Sequence, residues 1–376
     1  LENPNCVVVR TLSKAYGCAG LRCGYAMGDS GVITTLRAAG NPFSVSGPTV
    51  EAAKRRIESG DQDVLAYCER ICDERTKLES ILRELGCSVV ESRANFVFCQ
   101  TPRAAWVRDA LAGMGIAIRG WTGRPGFEES LRITLPGDEK KFARLESALG
   151  AALRPEAIIF DMDGVLARVD GSYRAAIIAT AGSYGVKINA DDIKRAKREG
   201  NANDDWQLTH RFVREAGVSA TLEQVTERFE LLYQGEDGVN GLKQTETLIP
   251  RVGLMQEIAG KVRLGVATGR PRRDAEEFVE RFGLQEVFET LVCMEDTNRH
   301  KPDPEPVREA MKRMYASSAW YVGDTRDDMT AARAAGVPGV AHVAPQDDVD
   351  EVTPVLLKAG AGRVVTDLEA LLEFLP

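Results

Sequence analysis

The sequence predicts an α/β chain in two parts: an α+β segment over residues 1–153, then a parallel-sheet segment over 156–376 with a helical cap inserted at about 172–244. Three observations predict it. Six short apolar runs in the second part alternate with helix-like stretches, and strands of a parallel sheet covered on both faces read as continuous apolar runs. The insert after the first run, Ser172 to Gln244, is polar, helix-rich and without any such run. Finally, 376 residues are too many for one ordinary core and enough for two or three domains.

In chain order, the apolar run CVVV from Cys6 leads into RTLSKAYGCAGLRCGY. From Pro48 to Leu85 apolar residues recur at three and four with charges between them, which predicts a helix closed by Gly86. Strands follow at SVV from Ser88, NFVF from Asn95, AI around Ala117 and LRITL from Leu131, and a helix from about Asp138 to Leu153 ends before Pro155. The six runs of the second part are AIIF before Asp161, RLGVA before Thr268, TLVCM before Glu295, AWYV before Gly323, GVAHV before Ala344 and RVV before Thr366. The short link from Leu149 to Glu156 predicts a fixed arrangement of the two parts.

Hydrophobic content of 44% and charged content of 28%, without an apolar run near the length of a membrane span, predict a soluble protein with no membrane partner. A net charge of −8, with the basic clusters Lys54–Arg56 and Arg270–Arg273 set among acids, argues against nucleic acid. Eight cysteines in no paired spacing, seven of them in the first hundred residues, fit a reducing cytoplasm. Cys68 and Cys72, four apart on a helix and far from any histidine, read as a half-buried face rather than a zinc site. Leu1 in place of methionine leads us to expect part of a longer polypeptide.

FDMDGVL, Phe160 to Leu166, places two carboxylates just past a buried strand, where open α/β sheets bind ligands. Alone, such a turn is a weak signal. Thr268 in ATGR, Lys301 in HKPDP and the acids of GDTRDD, Gly323 to Asp328, add a hydroxyl, a cation and further carboxylates at the same sheet edge. With all four motifs in order, the chain from about Glu156 resembles the haloacid-dehalogenase superfamily of subfamily I, with a Rossmann-like core and a helical cap. The resemblance implies a phosphatase acting on a small-molecule phosphate ester. Asp161 would be the nucleophile forming an aspartyl-phosphate, Asp163 the acid and base, and Thr268 and Lys301 the holders of phosphoryl oxygens. Mg²⁺ would be held by the set Asp161, Asp163, Asp324 and Asp328.

Asp163 separates the branches of that superfamily, because a departing halide needs no proton and an alkoxide does. Phosphonate-cleaving relatives use a cap lysine; the cap offers Lys187, Lys194 and Lys197, and that branch stands behind the phosphatase. Asp327 reads either as a site acid or as a surface acid, and DDVDE from Asp347 as surface acids. The cap segment GNANDDWQLTHR, Gly200 to Arg211, carries Trp206 and His210 as either a packed corner or a contact to the leaving group.

In the first part, Lys14 offers an amine for a Schiff base with pyridoxal phosphate, and Ser13 and Arg22 offer groups for its phosphate; a lone lysine after a strand is otherwise a solvated residue. The stretch resembles the lysine segment of type I fold aminotransferases, most closely histidinol-phosphate aminotransferases, with Cys18 a departure and the match weaker after Ile118. Asn95, Arg119 and Arg132 fall where that family has an asparagine and two arginines that take substrate anions. The resemblance covers residues to about Leu153 and implies bound pyridoxal 5'-phosphate only with a preceding portion that stacks on and pairs with the ring. Without that portion, transamination is not expected. Two accounts follow: a fusion of consecutive steps in histidine biosynthesis, or a phosphatase for an unrelated metabolite whose first part is a non-catalytic module forming a homodimer.

Overall fold

The computed structural model describes residues 3–41, 44–200, 204–236 and 239–376. Two compact units form. One comprises Leu1–Ser80, Ser92–Val97 and Thr134–Phe142; the other comprises Ile81–Glu91, Phe98–Ile133 and Ala143–Pro376.

The chain opens with strands β1 (Val8–Thr11) and β2 (Gly24–Met27), an antiparallel pair in which Arg10 lies opposite Tyr25. Helices α1 (Ser30–Ala39), α2 (Gly47–Ser59) and α3 (Asp61–Glu84) follow. The continuous helix expected from Pro48 to Leu85 is thus two. Ser46 caps α2 by accepting from Thr49 N, and Gly60 ends it. Glycine loses the most backbone entropy in a helix, and the apolar spacing runs through the break without showing it. Gly86, at φ +83°, closes α3 as expected, with Cys87 N donating to Leu82 O. Cys68 and Cys72 are exposed, not half-buried, because they lie on the outer side of α3.

Next come β3 (Ser88–Val90), β4 (Phe96–Gln100), α4 (Ala104–Gly113), β5 (Arg119–Gly120), β6 (Ser130–Thr134) and α5 (Glu139–Leu153). The strands form one sheet in the order β3-β4-β6-β5. The strand expected at Ala117 starts two residues later. Gly115, at φ +81°, turns the chain, Ile116 N still bonds back to Leu111 O, and pairing begins only at Arg119, opposite Arg132.

The second part begins with β7 (Ala157–Phe160) and β8 (Ala167–Arg168). Helices α6 (Tyr173–Ser183), α7 (Ala190–Glu199), α8 (Asp205–Glu215) and α9 (Leu222–Gln234) make up the insert, followed by the short β9 (Gly235–Glu236), β10 (Val239–Asn240) and β11 (Thr247–Leu248). β11 pairs antiparallel with β8, so the chain enters and leaves the insert through one two-stranded ribbon. Then follow α10 (Val252–Ala259), β12 (Arg263–Ala267), α11 (Arg272–Arg281), β13 (Thr290–Val292), α12 (Glu305–Arg313), β14 (Ala319–Gly323), α13 (Arg326–Ala335), β15 (Gly339–His342), α14 (Val349–Ala359), β16 (Ala361–Val365) and α15 (Leu371–Phe374). Every one of the six apolar runs is a strand of one parallel sheet, ordered β13-β12-β7-β14-β15-β16. Ile159, Tyr321, Met329 and Val307 are among its fully buried core.

Helix α4 and the edge strand β16 meet backbone to backbone. A Cβ on Gly113 would lie 2.3 Å from Gly360 O, and one on Gly362 would lie 2.7 Å from Ala110 Cα, so both positions require glycine. Beside them Trp106 stacks on Phe374 at 5.2 Å, meets Trp320 edge-on at 4.8 Å and donates from Nε1 to Ala152 O at 2.9 Å.

Candidate functional site

β7 lies between β12 and β14, and all three run parallel, so their carboxyl ends open on one edge of the sheet. The residues that follow them are Asp161, Thr268 and Asp324. Asp161 N donates to Val322 O and Thr268 N to Val292 O, which extends the ladder by one residue and fixes where those side chains leave the sheet. Gly164 has φ +75°, and a Cβ there would sit 2.0 Å from Asp324 Oδ2, so the glycine of FDMDGVL lets the two acidic loops touch.

Asp328 is the third residue of α13 and closes a capping box with Thr325. Its Oδ2 accepts from Thr325 Oγ1 at 2.6 Å, Thr325 N at 2.9 Å and Asp324 N at 3.2 Å. That leaves Oδ1 facing Lys301, whose Nζ bridges Asp328 and Asp161 at 2.7 Å each. Tyr321 supports the lysine from below: its hydroxyl accepts from Lys301 Nζ and donates to Ala267 O, both at 3.1 Å.

Burial pushes Asp161 up to about 7, against the pull of Lys301 and with help from Asp328 and Asp163. Burial also holds Asp324 well above the usual carboxylate range, and the charges of Asp328 and Asp161 add to it. Asp328 would rise by burial too, but Lys301 and the Thr325 bonds outweigh it and hold it low. Lys301, whose burial disfavours charge, is kept protonated by Asp161 and Asp328. Lys301 is thus shared by two of the three carboxylates, while Lys197 and Arg174 act on Asp324 from the other side, and a divalent cation would offset the negative charge that remains between the acids. Asp161, Asp324 and Asp328 each offer an oxygen within 4.8 Å of the others, a donor set of the hard kind that suits Mg²⁺.

Asp163 stands apart from that group. Its Oδ1 accepts from Arg270 Nε at 2.6 Å. Thr268 and Lys301 line an opening of about 170 Å³ together with Asp204, Gln207, Met294 and His300. The structure thus brings Asp161, Thr268, Lys301, Asp324 and Asp328 to one edge, with Asp163 beside them in the hand of an arginine that the sequence did not single out.

Other expectations change. Asp327 is buried in α13, so it is no surface acid. Asp347 pairs with Arg174 of the cap through two bonds of 3.2 and 3.3 Å, because the loop after β15 turns under α6; only the acids after it remain exposed. Lys194 donates to Gln346 O and Lys197 pairs with Asp205 at 3.5 Å, whereas Lys187 is exposed. In the cap segment, residues 201–203 lie outside the described residues. His210 bonds Ala220 O at 3.1 Å, which makes it a packed corner, and Trp206 donates to Glu230 at 3.2 Å. The basic clusters are spent on acids: Arg55 on Glu51, Arg56 on Asp63, Arg272 on Asp296, and Arg273 on Glu230 and Asp274.

Ser13, Lys14, Arg22 and Asn95 belong to the first unit, Arg119 and Arg132 to the second. Ser13 Oγ accepts from Thr11 Oγ1 at 2.8 Å, and Arg22, at φ 51°, donates to Ala19 O at 3.1 Å. Asn95 accepts on its main chain from Leu135 N. Lys14 and Arg22 are exposed. An exposed amine and guanidinium do not by themselves make a pocket for pyridoxal phosphate. Arg119 lies opposite Arg132 across β5 and β6, and its guanidinium lies over the Trp121 ring at 5.5 Å.

Residues 158–342 match the family model "Haloacid dehalogenase-like hydrolase", and residues 2–149 match "Aminotransferase class I and II". An imidazoleglycerol-phosphate dehydratase of Phytophthora nicotianae is 42% identical over 238 residues, covering 59% of this chain and 52% of its own. An aromatic amino acid aminotransferase of Mycobacteroides abscessus is 48% identical over 150 residues, 39% of this chain and 42% of its own. A histidinol-phosphate aminotransferase of Roseiflexus castenholzii is 39% identical over 149 residues, 38% of this chain and 40% of its own. The chain thus spans about half or less of each of these relatives. A segment similar to class I and II aminotransferases thus precedes one similar to haloacid dehalogenase-like hydrolases, and the buried lysine and carboxylates lie within the second match.

Proposed function

We propose that the chain is divided by function at residues 153–156, and that 156–376, with its cap at about 172–244, is a Mg²⁺-dependent phosphomonoester hydrolase. The observation that carries this reading is Lys301, buried and bridging Asp161 and Asp328 at 2.7 Å beside a third carboxylate. Such a site has little use for a neutral ligand and is well matched to a phosphoryl group with a metal ion. Asp161, Asp324 and Asp328 would hold Mg²⁺, which when bound offsets the charge gathered on the phosphoryl oxygens.

The residues then divide the work. Asp161 attacks phosphorus and becomes an aspartyl-phosphate, which splits one difficult displacement into two. Thr268 and Lys301 hold the phosphoryl oxygens from the ends of neighbouring strands. Asp163 gives a proton to the departing oxygen and takes one from the water that releases phosphate. Tyr321 keeps Lys301 aimed at the two acids it bridges.

For the substrate, we infer a phosphate ester carrying an imidazole, with histidinol phosphate as the first candidate. Two of the relatives support it: a dehydratase of imidazoleglycerol phosphate and an aminotransferase of histidinol phosphate. A match over 59% of the chain exceeds the 148 residues of 2–149, so likeness to the dehydratase polypeptide reaches the hydrolase segment. In the first segment we propose Lys14, Ser13 and Arg22 for pyridoxal phosphate and Asn95, Arg119 and Arg132 for the substrate anion. The aromatic aminotransferase match leaves its amino acid open.

The test incubates the protein with Mg²⁺ and a panel of phosphomonoesters that includes histidinol phosphate, beside Asp161→Asn. Release from histidinol phosphate well above the others, lost in the variant, is the expected result. Release from other esters alone removes the imidazole; release from none removes the phosphatase.

A further inference from the structure

Arg270 lies two residues past Thr268, and only 1% of its side chain is exposed. Its guanidinium is wedged between two rings, 4.9 Å from the centre of Tyr173 and 5.2 Å from that of Phe278. Every nitrogen has a carboxylate. Nε and Nη2 both come within 2.6 Å of Asp163 Oδ1, while Nη1 and Nη2 reach Glu246 Oε2 and Oε1 at 3.0 and 3.1 Å. Glu246 is itself buried, and its Oε1 also accepts from Ser172 Oγ at 2.9 Å and Tyr233 OH at 3.0 Å.

We propose that Arg270 is a positioning residue for the hydrolase reaction: it fixes the carboxyl group of Asp163 in the orientation from which a proton is exchanged with the leaving oxygen, and Glu246 fixes Arg270. The proposal rests on the phosphatase reading above.

The guanidinium is too enclosed to touch a substrate, so its effect passes through Asp163. Holding Oδ1 leaves Oδ2 as the oxygen that faces the reacting group, and a carboxyl that would otherwise rotate presents one edge. Only a planar fork reaches Asp163 and Glu246 together; a lysine ammonium is a point charge that serves one of them well. Of the other acids nearby, Asp274 is already occupied by Tyr173 OH, Gln234 Nε2 and Arg273, Asp205 pairs with Lys197, and Asp204 caps α8. Ser172 opens the cap, Tyr233 nearly ends it, and Glu246 lies on the return to the core. The alignment of Asp163 is therefore tied to both segments that carry the cap.

The test uses the full chain with Mg²⁺ and two substrates, an alkyl phosphate whose leaving oxygen needs a proton and p-nitrophenyl phosphate whose leaving oxygen does not. kcat/KM reports the steps through departure of the leaving group, so later hydrolysis of the aspartyl-phosphate does not blur it. Arg270→Lys is expected to lower kcat/KM about 100-fold on the alkyl ester, the scale of general acid catalysis, and only about threefold or less on the nitrophenyl ester. Asp163→Asn sets the full size of that split. Glu246→Gln, which keeps acceptors for Ser172 and Tyr233, gives a smaller split in the same direction and stands in if Arg270→Lys does not fold by thermal melting. Equal losses on both esters in the folded variant, with an active wild type, overturn the role of Arg270 alone. A wild type that releases phosphate from neither ester overturns the phosphatase reading and this proposal with it.

Discussion

Replacing Trp106 by alanine tests whether helix α4, from the aminotransferase segment, is part of the same folding unit as the hydrolase sheet. Trp106 is 2% exposed, stacked on Phe374 and set edge-on against Trp320, whose own Nε1 donates to Ala151 O at 2.7 Å. Truncating a buried tryptophan costs about 3–5 kcal/mol in lost transfer energy and cavity. Here the change also strands the Ala152 carbonyl, which loses its 2.9 Å bond, at about 1 kcal/mol more. Taking about 4–5 kcal/mol and roughly 2 °C per kcal/mol for a unit of this size, the midpoint of the hydrolase transition falls by about 8–10 °C. Differential scanning calorimetry on the full chain, with phosphatase activity followed through the same transition, measures it. Trp106→Phe keeps an aromatic ring against Phe374, loses the hydrogen bond and part of the buried ring volume, and falls by less than Trp106→Ala, about 4–6 °C. A Trp106→Ala protein whose phosphatase activity melts within about 2 °C of wild type, less than 1 kcal/mol by the same scale, refutes the reasoning.

Because Asp161 is raised to about 7 and Asp324 is raised as well, Mg²⁺ must displace protons to bind at neutral pH. Titration calorimetry in two buffers of different ionisation heat should show proton release at pH 7 and affinity that falls as pH drops. For Asp324 the folded state keeps a proton that the unfolded chain has given up, so stability is lost as pH rises toward the raised folded value. Asp324→Asn should therefore raise the urea midpoint of the metal-free protein at pH 8 while abolishing phosphate release. His342, whose Nδ1 lies 2.8 Å from Gly164 O, is held below its usual 6.5 by burial. The unfolded chain takes the proton first, so stability is full above 6.5 and is lost as pH falls below it; His342→Asn should flatten that slope in urea titrations run between pH 5 and pH 7.

The sheet was legible because each strand carries its own signal: AIIF, RLGVA and AWYV are apolar throughout, and the residue after each strand is the one that reaches the site. Thr268 and Asp324 are read that way without knowing what they face. Arg270 and Glu246 were not. Arg270 stood in a run of basic residues that looked like surface charge, and Glu246 in QTETL carries no motif. Their meaning lies in partners 107 residues and 24 residues away along the chain, and no periodicity encodes a partner. Asp347 failed for the same reason, since Arg174 lies on the far side of the insert. The resemblance put Asp163 in the metal set as well as in the acid and base role; the fold groups Asp161 with Asp324 and Asp328 and gives Asp163 an arginine instead.

The glycines at the junction of α4 and β16 make the fusion hard to undo. Gly113 and Gly362 let two backbones touch, and neither tolerates a side chain. β16 ends the sheet. A second segment severed near residue 155 would keep Asp161, Thr268, Lys301, Asp324 and Asp328 together yet bare the flank of an outer strand, the kind of surface through which sheets of separate molecules adhere. Selection would then hold the two segments in one reading frame through solubility, whatever became of the first segment's own chemistry.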